Sequence, residues 1–146
     1  QAYLDTLPPD APQHTAFVEA WAFGDSPALA DELGALVLSG RKTATCSALW
    51  AYEHEGGTIP APGQYSIILD GGGEPLCLIE TVAVDVRAFA EVDAAFAYDE
   101  GEDDRSLAAW RAAHWRYFSR TLAAHGLQPS EDMPLLCERF RVVYRA

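Results

Sequence analysis

The stretch from Gly40 to Ser47 reads Gly-Arg-Lys-Thr-Ala-Thr-Cys-Ser and carries the residues best suited to chemistry. Lys42 is the only lysine of the chain, whereas the other nine basic residues are arginines. Lysine, unlike arginine, can lose its proton near neutral pH when it is desolvated or lies beside another cation, such as Arg41. These residue types predict a reactive or substrate-binding amine at Lys42, with Thr45 or Ser47 as its hydroxyl partner. The alternative is a solvated lysine in a turn.

A carboxylate in a predicted strand is the second candidate. Glu80 lies on the otherwise aliphatic face of an alternating segment from Leu76 to Val86. An unpaired charge on a buried face is very costly, so Glu80 would need a cationic partner. Lys42 is one candidate partner. The alternatives are an arginine that only stabilises the fold, or a register in which this face is partly solvated.

An acidic run and a histidine complete the set. Residues 99–104 contain five acids in six positions, which usually form a solvated loop, here just before a helix. The run lacks the spacing of a calcium-binding loop, and we predict no metal site in it. His114 lies on the apolar face of the helix that follows, where it is either a hydrogen-bonded core residue or part of a site.

Composition narrows the class of protein. With 146 residues, 49% of them hydrophobic, the chain is expected to form a single domain over residues 1–146. The net charge of −12 argues against an extended nucleic-acid footprint, because phosphate binding requires many Lys and Arg contacts. No apolar run approaches the roughly 18 residues that span a bilayer. The three cysteines, an odd number without metal-ligand spacing, predict buried thiols in a reducing cytoplasm.

Local signals predict the elements that would position these residues. We expect an irregular N-terminal arm over residues 1–12, a helix from Gln13 to about Gly24, and a second helix that begins at Asp25-Ser26-Pro27 and ends at Gly40. Two more helices are predicted around residues 89–97 and 106–126, and strands over 43–49, 64–69, 76–86 and 136–144. Asp-Gly-Gly-Gly at 70–73 predicts a hairpin turn. This order predicts an α+β domain with a curled sheet or small barrel and flanking helices.

Two motifs resemble one family. Gly-Arg-Lys-Thr-Ala-Thr after a helix resembles the Gly-x-Lys signature of the ASCH domain, a branch of the PUA-like superfamily. The second half resembles a bacterial subgroup of about this length, through Glu-Gly-Glu at 100–102, Ser106-Leu107, Trp110-Arg111 and His114. The likeness extends from about Trp21 to Tyr144. It implies a PUA-like barrel or curled sheet with helices at its side and a cleft beside the Gly-x-Lys loop.

The resemblance also implies a range of functions. The superfamily is associated with RNA recognition; small ASCH proteins are known as amidohydrolases that deacetylate N4-acetylcytidine, and another member is described as a ribonuclease. In the amidohydrolases the proposed catalytic set is a lysine, a threonine three residues later and a glutamate. Lys42 and Thr45 match the first two, and Glu100 or Glu102 matches the glutamate, whereas Glu80 matches a strand glutamate of the family.

The chain departs from the family pattern at two positions. Ser47 stands where the family often has an arginine that could hold a base or a phosphate, and Asp103 stands where the subgroup usually has glycine. Because this arginine is missing, the substrate of the family members is a weaker guide to the substrate of this chain.

Two interpretations remain open. The first is an amidohydrolase for a modified nucleoside that needs neither metal nor cofactor, in which Lys42 acts either as a neutral base or as a cation that stabilises an oxyanion. The second is a module that binds a nucleotide or short RNA through Arg41 and Lys42 without catalysis. A ribonuclease, which would both bind RNA and act on it, is intermediate between these two interpretations. In either case the expected ligand contacts are aromatic stacking on a base and polar contacts, from Arg41, Ser47, Trp50, Glu80, Trp110, Arg111 and His114.

Overall fold

The computed structural model describes residues 18–56 and 59–145, so the predicted arm over residues 1–12 lies outside the described residues. The strands are β1 (Val18–Ala22), β2 (Ala44–Ala48), β3 (Tyr65–Leu69), β4 (Pro75–Ala88) and β5 (Pro134–Arg145). The α-helices are α1 (Pro27–Leu38), α2 (Leu49–Glu55), α3 (Ala94–Glu100) and α4 (Leu107–Ala123), and a single 3₁₀ turn (Phe89–Glu91) precedes α3.

The five strands form one sheet in the order β1-β3-β4-β5-β2. β1 runs parallel to β3, and the other neighbouring pairs are antiparallel. Although β1 and β2 are the two edges of this sheet, residues of both line the same cavity, so the sheet is curled into a half-barrel. Register shifts along β4 and β5 are the irregularities that commonly accompany such bending. The predicted α+β class with a curled sheet and flanking helices is confirmed.

Helices cover the sheet on two sides through separate apolar clusters. α1 packs Leu33 and Val37 against Ile68, Ile79 and Phe140 of the central strands. The second cluster joins α3 and α4 to β2 and β5, with the buried residues Phe96, Trp110, Phe118, Leu122, Met133 and Leu135 among its members. Because both clusters are anchored on β5, the last strand connects the two halves of the core.

Local sequence signals correctly predicted the two ends of α1 and one hairpin turn. α1 begins after Ser26, whose hydroxyl accepts a hydrogen bond from the Leu29 amide at 3.2 Å, and Pro27 occupies the first helical position. Gly40 follows the helix with a φ of +82°, a conformation that glycine adopts without strain. The Asp70–Gly73 segment forms the predicted hairpin turn between β3 and β4.

The helix predicted from Gln13 to Gly24 is wrong over its described part, because Val18–Ala22 forms the edge strand β1. Residues 13–17 of that prediction lie outside the described residues. Ala20 and Trp21 fit a helical apolar stripe, but they also fit a strand, and the sequence alone cannot show that β3 lies alongside. Pairing with β3 therefore overrides the local pattern. Leu49, the last residue of the strand predicted over 43–49, instead begins α2, which continues to Glu55 through residues 50–55, for which the sequence predicts no element.

The remaining global expectations are met in part. The three cysteines are free thiols; Cys77 and Cys137 are buried as predicted, whereas Cys46 is half-buried. Within residues 18–56 and 59–145, the helices are too short or too polar to cross a bilayer. The cytoplasmic location stays a prediction.

Replacing Ser106 with alanine should lower the free energy of unfolding by about 1 kcal/mol, because its hydroxyl caps α4 by accepting a hydrogen bond from the Ala109 amide at 3.1 Å. Chemical denaturation measures the change. Ser119→Ala is the control within the same helix, since the Ser119 hydroxyl only bonds back to the Trp115 carbonyl and alanine is the better helix former. Equal losses in both variants would contradict the capping role.

Candidate functional site

Lys42 is buried, with a side chain only 1% exposed. Its ammonium donates to the Ala44 carbonyl at 2.9 Å, to Glu100 Oε1 at 3.1 Å and to Glu102 Oε2 at 2.9 Å. An ammonium group has three N–H donors, so these three short contacts use its full capacity. The solvated turn lysine that the sequence left open is therefore wrong.

The charge state of Lys42 follows from the same contacts. Burial alone would lower the pKa of the amine, but the two glutamates outweigh burial and raise the pKa above its ordinary value of 10.5. Lys42 is therefore an ammonium at neutral pH in the ligand-free protein. Of the two roles that the sequence left open for Lys42, this state suits the cation and not the neutral base.

Glu100 is also buried, at 1% exposure, which overturns the expectation of a wholly solvated acidic loop. Its second oxygen, Oε2, accepts from the Trp110 indole N–H at 2.5 Å and lies 3.4 Å from His114 Nε2. Burial opposes ionisation, but Lys42 and His114 lower the pKa of Glu100 to about 2. A carboxylate held by this many donors is a poor proton acceptor, and its contact with Lys42 helps to fix the ammonium in place.

His114 supports Glu100 from α4. Its Nδ1 lies 2.9 Å from the Trp110 carbonyl, and its ring stacks on the Trp110 indole with centroids 4.4 Å apart. Because a carbonyl can only accept, Nδ1 carries a proton, while Nε2 faces a carboxylate. Burial opposes the charged ring, but Glu100 outweighs it and raises the pKa of His114. The imidazolium form of the ring is therefore favoured.

Cys46, Glu100 and His114 place one ligand atom each within 4.8 Å of one another, as a metal site would. A metal cation at this position would lie close to the Lys42 ammonium and would require the Cys46 thiolate. Burial, followed by the charge of Glu100, raises the pKa of that thiol well above its ordinary value. The three groups are therefore better described as members of the hydrogen-bonded network around Lys42.

The Glu-Gly-Glu loop reaches Lys42 because Gly101 lets two backbones meet. Gly101 has a φ of +74°, and a Cβ at this position would lie 2.3 Å from the Arg41 carbonyl oxygen. Arg41 fastens the same loop by donating from Nε to the Gly101 carbonyl at 2.7 Å and from Nη2 to the Asp103 carbonyl at 2.6 Å. The guanidinium of Arg41 is therefore engaged with the loop, and Glu100 and Glu102 both turn toward Lys42.

Two adjoining cavities lie beside this network. The smaller, about 230 Å³, is lined by Lys42, Glu100, Glu102 and His114, together with residues of α1 and α4. The larger, about 490 Å³, lies between the edge strands β1 and β2, α2 and the second half of α4. Thr45 and Cys46 line both cavities, so Thr45 stands where the two meet.

The structure brings some predicted residues together and separates others. Lys42, Thr45, Glu100, Glu102 and His114 share the smaller cavity, and Ser47 lines the larger one. Trp110 lines neither cavity and acts through its bond to Glu100.

Three predicted ligand contacts lie elsewhere. Glu80 pairs with Arg141 at 2.6 Å instead of Lys42, which is the arginine alternative. Trp50 packs against the core cluster of α3 and α4, and Arg111 donates to the Ala90 carbonyl at 3.4 Å. Their spacing on the chain gave no indication of these partners, because the partners come from other strands or loops.

Sequence reasoning missed a set of polar residues in the larger cavity, among them Thr81 and Glu138. Glu138 is 6% exposed and lies in β5 directly after three buried apolar residues. An acid inside an apolar strand segment was a usable signal, since buried carboxylates usually have a structural or functional reason.

Comparisons with known proteins identify the family and support the fold. The family model for the ASCH domain matches residues 19–144. The crystal structure of an ASCH domain from Lactobacillus crispatus is 34% identical, with a TM-score of 0.87, and the match covers 99% of this chain and 91% of that one. A crystallised protein from Enterococcus faecalis is 44% identical, with a TM-score of 0.81 and coverage of 87% and 77%. The search against curated proteins found no match.

Gly101→Ala should destabilise the protein more than Gly126→Ala. Both glycines have positive φ, a conformation that costs other residues about 1–2 kcal/mol, but only Gly101 would also place a Cβ against backbone atoms. Gly126 has open space at that position and is the matched control. We expect Gly101→Ala to exceed the control by at least about 1 kcal/mol in chemical denaturation. Equal effects would contradict the close approach.

The His114–Glu100 contact should stabilise the protein at low pH and lose its effect as pH rises. Because the pKa of His114 is raised by folding, its stabilisation is fully present below the ordinary value of 6.5 and is lost as pH rises through the folded pKa. Denaturation over a pH series measures this slope. His114→Gln should remove the slope, whereas the exposed His54→Gln should keep it. A wild-type slope of opposite sign would contradict the assignment.

Proposed function

Since the chain belongs to the ASCH domain family, we propose that its cleft binds an uncharged nucleoside-type ligand and hydrolyses an amide attached to the base. The observation that carries the proposal is the smaller cavity, in which a charged Lys42 contacts Glu102 and Thr45 stands at the entrance to a second, larger space. The set of lysine, threonine and glutamate that the family resemblance implied thus lies around one cavity.

The charges in the cleft favour an uncharged ligand over a phosphate. The larger cavity is lined by the acids Glu19, Glu55 and Glu138, and its one histidine, His125, lies 3.1 Å from Glu55. The two cations near the cleft already have partners in the Glu-Gly-Glu loop: Lys42 donates to Glu102, and Arg41 donates to the Gly101 carbonyl. An anionic group entering the larger cavity would therefore meet mostly negative charge, and a volume of about 490 Å³ lies within the usual range of small-molecule sites.

Glu102 is the carboxylate suited to proton transfer. Its side chain is 21% exposed, whereas Glu100 is 1% exposed and saturated with donors. Glu102 can therefore turn away from Lys42 at a lower cost than Glu100. When it turns away, one N–H of the ammonium becomes free to donate to a ligand.

A balanced hydrolysis follows from these roles. Water, or the Thr45 hydroxyl in a first step, attacks the amide carbonyl carbon and gives its proton to Glu102. The freed Lys42 N–H stabilises the oxyanion as it forms. Glu102 then delivers the proton to the amine nitrogen, the C–N bond breaks, and the products are a carboxylic acid and the free amino base. When Thr45 is the nucleophile, water hydrolyses the acyl-threonine in a second step.

The alternative is RNA or nucleotide binding without catalysis, in keeping with the RNA association that the resemblance implies. Arg116 and Arg120 line the smaller cavity. Arg120 is held by Asp25, with Nε–Oδ2 at 2.8 Å and Nη2–Oδ1 at 3.1 Å, so Arg116 is the candidate for contacting a phosphate outside the acidic interior. Binding of short RNA that weakens steeply with salt would favour this alternative, because phosphate contacts release counterions. Binding of an uncharged nucleoside that is insensitive to salt favours the hydrolase.

A screen of N4-acylated cytidines and related nucleoside amides tests the proposal. We expect turnover by the wild type, and a loss of at least about 100-fold in kcat for Glu102→Gln and Thr45→Val, as is typical when a general acid–base or nucleophile is removed. Glu53→Gln, an exposed position on α2, is the control. Lys42→Ala is less informative, because removing the lysine partner of buried Glu100 should cost about 3–5 kcal/mol of stability.

Full activity of Glu102→Gln would contradict the assigned roles. Absence of turnover for every nucleoside amide, with the wild type shown to be folded, would overturn the hydrolase proposal.

A further inference from the structure

A row of polar side chains crosses the sheet along the wall of the larger cavity. It includes one residue from each of the five strands, Glu19, Thr45, Ser66, Thr81 and Glu138. Thr45 is directly opposite Glu138 across the β2–β5 pair, and Glu19 is directly opposite Ser66 across the β1–β3 pair. The Thr81 hydroxyl, at the centre, donates to Glu138 Oε1 at 2.6 Å.

The centre of this polar row is buried and incompletely satisfied. Ser66, Thr81 and Glu138 are 8%, 2% and 6% exposed. Within the described residues, Glu138 has one side-chain hydrogen-bond partner, Thr81, and no ion-pair partner. A carboxylate can accept about four hydrogen bonds, so acceptor capacity remains at the cavity wall. Burial raises the pKa of Glu138 and outweighs the single hydrogen bond from Thr81, which lowers it.

We propose that Glu138 orients the ligand by accepting a hydrogen bond from an N–H on the base, which in the substrate is the N–H of the amide to be cleaved. The inference rests on the proposed function, because it assigns the contact that presents the amide to Thr45. A ligand that donates an N–H supplies the partner that the buried carboxyl lacks in the empty cavity.

The register of β2 and β5 makes this contact productive. Directly opposite residues in an antiparallel pair have Cα atoms about 4.5–5.5 Å apart and side chains on the same face. In an amide, the carbonyl carbon is bonded to the nitrogen. An N–H held by Glu138 therefore places that carbon beside Thr45, at the junction with the smaller cavity.

The same contact predicts selectivity for an amino-substituted base. Cytidine offers an amino N–H at the position where uridine has a carbonyl oxygen, and the ionised form of Glu138 accepts from the first and repels the second. One hydrogen bond to a charged group is worth about 1.5–3 kcal/mol, which corresponds to roughly tenfold or more in affinity.

Binding of cytidine and uridine tests the inference without relying on turnover, because neither nucleoside carries an amide that can be cleaved in this way. Calorimetric or NMR titrations should show the wild type preferring cytidine by about tenfold. Glu138→Ala should lose this preference. Glu138→Gln should keep most of it, because its amide oxygen can face the ligand while its NH₂ donates to the Thr81 hydroxyl. Glu53→Gln is the control, and denaturation curves verify folding.

A purely structural role of Glu138 would weaken binding of both nucleosides equally, and that result would overturn the inference. The inference would also be overturned if the wild type bound neither nucleoside. The same holds if Glu138→Ala kept the preference for cytidine, or if this variant cleaved nucleoside amides as fast as the wild type. The wild type could prefer cytidine through Glu138 and yet cleave no nucleoside amide. That result would overturn only the hydrolase proposal and would support the inference that Glu138 binds the base.

Discussion

The burial of the Lys42 ammonium is the constraint on which the rest of the site depends. Removing an ammonium from water costs several kcal/mol, even after relaxation, and the cost must be offset by charge and hydrogen bonds of good geometry. Glu100 and Glu102 supply both, 2.9–3.1 Å away, and they can do so together because only Gly101 separates them. The close backbone approach at Gly101 and the grip of Arg41 on the loop are therefore requirements of one buried charge.

The network divides into a fixed part and a part that can respond to a ligand. Glu100 is held by Lys42, by the Trp110 indole and by His114, so its position and charge are set by α4 as much as by its own loop. Glu102 makes one contact with Lys42 and is partly exposed. A site that keeps a cation in place while one of its two counterions can move is suited to stabilising negative charge that develops on a bound molecule.

The sequence predicted features whose causes are local and missed those that arise from contacts between distant segments. The cap at Ser26, the hairpin at Asp70–Gly73 and the fold class follow from short patterns. Glu100 and Glu102 are 58 and 60 residues from Lys42, so the local pattern suggested Glu80 as the partner, and the other two glutamates entered only through the family resemblance. β1 was mistaken for a helix, and the polar row in the larger cavity went unseen, because both depend on the order of strands in the sheet. Strand order is set by the packing of the whole domain.

The buried charge on Lys42 can be tested directly by measuring the protonation state of its side chain. Because it is the only lysine in the chain, labelling lysine with ¹⁵N and ¹³C gives a single side-chain NMR signal that needs no further assignment. Because the two glutamates raise the pKa of Lys42, we expect an ammonium signal that persists as pH rises through the ordinary lysine value of 10.5, as long as the protein remains folded. Titration of this signal to the neutral amine near pH 7 would contradict it, since the two glutamates would then not be holding a charged group.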